Sequence, residues 1–278
     1  MLRTRAKQSN ITAKSAEGFT IVEVMLVLGI SSLLLIGLIG GTFASIARQR
    51  YNDSVRDFAE YLRTVYSEVI SPQSLGLGNS SEYAILGKIL VFGSQENDST
   101  IYSATIVGNA KIPHSSGQDF LAELQAADSN VSLLCGNTIQ EQTSTVASYT
   151  PLWQSEFVEA NDPALNTTFG NKLKGTLLIS RSLTSATVHT AFLPEVIYDL
   201  PEQCTPENNT ASTLFKEGLT EHGTAYAASL EHATSICVKS DDSAIAREIR
   251  ISADGRNTSA IHIIDEDPEG EESRCRKL

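Results

Sequence analysis

The chain has 278 residues, with 33 acids against 21 lysines and arginines, a formal charge of −12 and an isoelectric point near 4.9. A surface this acidic repels nucleic acid and gains nothing from phosphate contacts, so nucleic acid is not an expected partner. The length allows one large domain or two small ones.

In chain order, residues 1–18 are basic, with Arg3, Arg5, Lys7 and Lys14 against Glu17. Phe19 to Ala47 follow as an apolar run of 29 residues whose one charge is Glu23. About 20 apolar residues suffice to cross a bilayer. A carboxylate inside such a segment costs roughly 2.5–3.5 kcal/mol on insertion scales, so it is expected to have a partner. A secretory signal has an apolar core of about 7–15 residues and a small-residue cleavage site after it. Here the core is about twice as long, and the polar junction Gly18-Phe19 precedes it. An ordinary signal anchor explains the length but neither that junction nor Glu23.

From Arg48 to Ile70 the apolar residues fall at Tyr51, Val55, Phe58, Leu62, Val65 or Tyr66, and Val69. Steps of three and four make one stripe on a helix. Arg50, Asp53, Arg56, Asp57, Glu60, Arg63 and Glu68 form the opposite face, with Asp53–Arg56 and Glu60–Arg63 at a favourable spacing. Ser71-Pro72 supplies the stop, because the residue before proline avoids helical torsions. One helix is therefore apolar all round over residues 19–47 and amphipathic over residues 48–71. Gly29, Gly37, Gly40 and Gly41 interrupt its first half. They suit either a stretch that melts in part on packing or a close approach between membrane helices.

The basic leader, Gly18, Phe19 and Glu23 together resemble the class III signal of type IV prepilins and type II secretion pseudopilins. The resemblance implies cleavage after Gly18 by a prepilin peptidase/N-methyltransferase and methylation of the Phe19 amine. It implies that Glu23 pairs with a neighbouring subunit's N-terminus. Other pilin or pseudopilin subunits and an inner-membrane assembly platform are the implied partners. The implied fold is α+β, the pilin fold: a long N-terminal helix packed on an antiparallel β-sheet domain spanning residues 72–278. The implied location is the cytoplasmic membrane, single-pass with the C-terminal domain outside, and then a periplasmic or cell-surface filament. Removing the leader takes away four basic residues and one acid, which carries the formal charge to −15.

Downstream, short β-branched and aromatic runs are separated by Gly, Asn, Asp and Ser. Strands are predicted at Tyr83–Phe92, Thr100–Val107, Val131–Leu134, Thr176–Arg181, Ala186–Leu193, Thr234–Lys239, Ala246–Ser252 and Ser259–Ile264. Asp254-Gly255 marks a hairpin turn between the last two. This tail is similar to the C-terminal sheet of minor pseudopilins and minor pilins. The polar stretches Gly136 to Tyr149, Glu159 to Gly170 and Leu200 to Thr213 read as surface loops.

Four cysteines, Cys135, Cys204, Cys237 and Cys275, all lie beyond the apolar segment. In an oxidising compartment an even number points to two disulfides, with three connectivities open. Free buried thiols are the alternative. No C-x-x-C spacing suggests zinc or redox chemistry.

Other constellations carry little. His114, His189, His222, His232 and His262 lack metal-ligand spacing. Gly76-Leu77-Gly78 is not followed by the residues a phosphate loop needs. No nucleophile elbow is present, so neither an enzyme nor a cofactor is expected. The acids between Asp265 and Glu272 lack the order of a calcium loop and read as a solvated tail. Basic residues are thin: Lys172, Lys174 and Arg181 in one region, Arg274, Arg276 and Lys277 in another. Two other classes would announce themselves differently. A filament-tip binding module would carry a basic or aromatic-lined patch, and a membrane-anchored extracellular enzyme a cleft with perturbed carboxylates or histidines.

Overall fold

The computed structural model describes residues 19–71, 83–93, 99–109, 131–135, 146–160, 169–181, 188–193, 200–205, 210–221, 233–240, 246–252, 258–264 and 274–275. It is an α+β architecture, one long N-terminal helix followed by antiparallel sheets. Helix α1 runs Ile21–Ile70 without interruption. The chain divides into two compact units between Arg48 and Gln49.

In the first unit every described residue from Phe19 onward is exposed. In the second, α1 buries Tyr51, Val55, Phe58, Leu62, Val65, Tyr66 and Val69, the stripe its spacing predicts, with Ser54 and Ala59 added. Two sheets receive that stripe. The larger contains β1 (Tyr83–Phe92), β2 (Ile101–Asn109), β3 (Ser132–Leu133), β6 (Gly175–Arg181) and β7 (Val188–Leu193), ordered β3-β2-β1-β6-β7. A short strand, β4 (Ala147–Tyr149), also pairs with β2. The smaller sheet is ordered β10-β9-β8-β5, from β5 (Ser155–Val158), β8 (Thr234–Ser240), β9 (Ala246–Ile251) and β10 (Ile261–Ile264).

The main core lies between α1 and both sheets. Phe58 is at its centre, its ring centroid 4.5 Å from Phe157, 5.7 Å from Tyr149 and 6.5 Å from Phe92. Tilted and edge-on rings at such distances add to the burial itself. Polar pins fix the helix against each sheet. The Tyr51 hydroxyl donates to the Val238 carbonyl at 2.9 Å, and Arg63 Nη2 to that of Ile261 at 3.2 Å. On the other side the Tyr66 hydroxyl pairs with Thr190 Oγ1, and Lys88 with Glu68.

A second core corrects the sequence reading. Leu200 to Thr213 reads as a surface loop, yet it holds α2 (Leu200–Gln203) and the start of α3 (Thr210–Glu221). Leu200, Ala211, Phe215 and Leu219 are buried against Ile89, Val91, Ile106 and Leu178 on the face of the larger sheet opposite α1. That sheet is covered on both sides, so its strands are continuous apolar runs such as Ile89 to Phe92. A bulge in β1 between Ile85 and Gly87 shifts the alternation and puts both Leu86 and Ile89 on the α3 side. Glycine is required at the bulge: a Cβ on Gly87 would sit 2.2 Å from the Ile179 carbonyl oxygen.

Two more differences are small. β4 and β5 are strands that the sequence did not mark, β4 falling at the end of a predicted loop. β9 and β10 pair antiparallel from Ile251↔Ile261 to Glu248↔Ile264, as the predicted hairpin requires, while Asp254-Gly255 lies outside the described residues.

Candidate functional site

Gly18 and the rest of the leader lie outside the described residues. Phe19 and Thr20, the first described residues, lie immediately before α1. Thr20 occupies the N-cap: its Oγ1 accepts the backbone N–H of Glu23 at 3.3 Å, and its carbonyl accepts that of Val24 at 3.2 Å. Thr-x-x-Glu is the spacing of a capping box. Glu23 thus stands in the first turn, where the unsatisfied N–H groups and the helix dipole favour a carboxylate. The sequence reading gave this charge an insertion cost and a partner on a neighbouring subunit; its place at the helix start gives it a local role as well.

Beyond Glu23, seventeen large apolar side chains between Phe19 and Ile46 are exposed. Full burial of one such side chain is worth about 1.5–3 kcal/mol, so leaving all of them in water forgoes roughly 25–50 kcal/mol. Among the described residues nothing covers them. The helix also meets its own polar needs, since Ser32 Oγ donates to the Leu28 carbonyl at 2.7 Å and Thr42 Oγ1 to that of Ile39 at 2.8 Å. Internal satisfaction of this kind is what a lipid environment demands. At Gly29, Gly37, Gly40 and Gly41 an added Cβ would meet nothing within 4 Å. These are open surfaces where another helix can approach closely. By length and composition this is one helix able to cross a membrane, near the N-terminus, a test that a signal sequence also passes.

The cysteines form two disulfides, which settles the connectivity that the sequence left open. Cys135–Cys204, 69 residues apart, ties the end of β3 to the end of α2. Beside it the Leu133 N–H donates to Ser212 Oγ at 3.2 Å, so the helical layer is held covalently and by hydrogen bonding. Cys237–Cys275, 38 residues apart, fastens the C-terminal segment to β8.

Next to this second bridge lies the most buried charge among the described residues, Glu248. Its Oε1 accepts Ser235 Oγ at 2.7 Å and Arg250 Nε at 2.8 Å, and its Oε2 accepts the Arg274 backbone N–H at 2.9 Å. Burial pushes the carboxyl's pKa up, but these donors and the Arg250 charge outweigh it and hold the group below the ordinary carboxylate range. Sequence reasoning missed Glu248. An acid between Arg247 and Ile249 in a predicted strand was the one available signal.

The remaining candidates do not converge. His189 is half-buried in β7, which lowers its pKa, and His262 is exposed in β10. His189 and Glu248 lie on different sheets. Lys172 approaches Glu156 at 3.9 Å and Lys174 is exposed. Among the described residues no group of three or more His, Cys, Asp or Glu is placed to hold a metal. His114, His222, His232, Gly76 to Gly78 and the acids from Asp265 to Glu272 lie outside the described residues. No protein-family model, curated protein or solved structure matches the chain.

Proposed function

We propose that the chain is a minor pilin or pseudopilin subunit of a type IV filament-like assembly, processed after Gly18 and polymerised through its N-terminal helix. One observation carries this reading. An exposed apolar helix begins directly after a Gly-Phe junction, carries a single charge at Glu23, and continues without a break into a helix half that forms the core of a β-rich domain. An anchor alone does not need Glu23, nor a helix continuous with the folded domain.

In this mechanism residues 19–47 hold the subunit in the cytoplasmic membrane, with the C-terminal domain outside, and then pack among equivalent helices of other subunits. The assembly platform and the peptidase/methyltransferase act on the same segment. Glu23 neutralises the methylated Phe19 amine of an adjacent subunit. Two charges brought together out of water are expensive apart and favourable as a pair, so the contact fixes the axial register between subunits. The β domain carries the system-specific contacts. The role is structural, with no cofactor and no nucleic-acid partner.

Co-expression of Glu23→Ala with wild type tests the reading. The variant is expected to insert, to be cleaved and to fold its outer domain, but to be depleted in sheared filaments or cross-linked complexes. Equal incorporation would remove Glu23 from the mechanism.

A further inference from the structure

Leu152 and Trp153 are the two large apolar side chains that stay exposed among the described residues of the β domain, at 43% and 51%. They stand in a short 3-10 turn between β4 and β5. Trp153 and Gln154 both adopt the left-handed region, with φ of 57° and 55°. Bulky residues rarely do so, and such conformations persist where the surrounding structure imposes them, often for function. Trp153 is also the chain's single tryptophan.

The position of this turn is fixed by Arg50, whose guanidinium lies over the Trp153 ring at 4.6 Å. One residue on, the Arg247 guanidinium lies over the Tyr51 ring at 5.9 Å. Arg50 is three residues past Ala47, the end of the apolar run, or about 4.5 Å further along the helix. The run itself is about 43 Å long, against about 40–45 Å for a bilayer with its headgroups. An exposed tryptophan with arginines beside it is the composition of a membrane interface, where rings and long basic side chains bridge acyl chain and headgroup.

We infer that the Leu152-Trp153 turn is a second, interfacial contact with the outer surface of the cytoplasmic membrane. It seats the β domain against anionic phospholipid headgroups beside Arg50 and Arg247 while the subunit is still unassembled. The chain's overall acidity gives no general attraction to such a surface, so the contact depends on this local group. This inference rests on residues 19–47 spanning the membrane.

The sole tryptophan makes the test direct. The full chain is reconstituted sparsely into phosphatidylethanolamine–phosphatidylglycerol vesicles, with and without bromine placed high on the acyl chains. Flotation and resistance to alkaline extraction report the anchor, and Trp153 emission reports the turn. The expected result is flotation, a loss of emission in brominated vesicles, and a smaller loss for Leu152→Asp, whose flotation stays unchanged. Failure to float overturns the anchor and this inference with it. Flotation without bromine quenching, with Trp153 open to acrylamide, overturns the inference alone. So does bromine quenching that Leu152→Asp leaves undiminished. Emission that changes only as protein density rises, independent of bromine, assigns the turn to a neighbouring copy and overturns it too.

Discussion

The carboxylate of Glu248 accepts the backbone N–H of Arg274 at 2.9 Å, and the next residue, Cys275, is bonded to Cys237, which faces Glu248 across the β8–β9 register. A buried charge and a covalent bridge therefore hold the same short C-terminal segment to the outer face of the smaller sheet. The carboxylate is tolerated there because three donors meet it, two of them on its own sheet.

Glu248→Ala removes the buried acceptor that these three donors share and is expected to cost about 3–5 kcal/mol, read from denaturant unfolding of the whole chain in detergent. The folded pKa of Glu248 is depressed, so its contribution is complete above the unfolded carboxylate value of about 4.3 and is lost as pH falls through the folded value. Wild type should lose stability more steeply below about pH 4 than Glu248→Gln does. Parallel curves would show that the carboxylate's charge contributes nothing.

Each disulfide constrains the unfolded chain. Loop closure over 69 and 38 residues gives about 4 kcal/mol apiece, somewhat more for the longer loop. Removing Cys135–Cys204 should loosen α2 and α3 first, which protease cleavage between residues 194 and 222 would report. Alkylation of the outer domain in its native compartment should find no reactive thiol; four free thiols would contradict the pairing.

Tyrosines supply the opposite pH dependence. Burial raises the Tyr66 and Tyr61 hydroxyls, and for Tyr149 burial is joined by a hydrogen bond to the charged Asp57. Groups whose folded pKa is raised stabilise fully below the unfolded value, about 10 for tyrosine, and cease to do so as pH rises through the folded value. Stability should fall above about pH 10, and Tyr149→Phe should flatten part of that slope. An unchanged slope in Tyr149→Phe and Tyr66→Phe alike would refute the assignment.

Phe215 tests the second core. It is fully buried between α3 and the larger sheet, and Phe215→Ala should cost about 3–5 kcal/mol. A surface helix would lose less than about 0.5 kcal/mol.

The N-terminal helix was legible because it is written twice, as an unbroken apolar run and as a stripe at Tyr51, Val55, Phe58 and Leu62. Eight strands were legible from β-branched runs. α3 was not, although Ala211, Phe215 and Leu219 recur every four residues, because Pro201, Pro206 and a run of Asn and Thr surround them and suggest a loop. β4 (Ala-Ser-Tyr) and β5 (Ser-Glu-Phe-Val) were not, because neither carries a β-branched run: the first ends a polar stretch and the second opens on two polar residues. The disulfide partners depend on which elements meet, Cys135 after β3 and Cys204 after α2, and no local spacing carries that. Glu248 is likewise a tertiary product: its donors come from β8, from β9 and from a segment 26 residues later. The turn at Trp153 gave no signal either, since left-handed torsions on a tryptophan follow from its surroundings and not from its own preference.

The N-terminal mass of the protein recovered from cell membranes tests the central claim most directly. The account predicts a chain that begins at Phe19 with one methyl group on its amine and carries the apolar helix intact. An unprocessed leader, or a cut after residue 47, would contradict it.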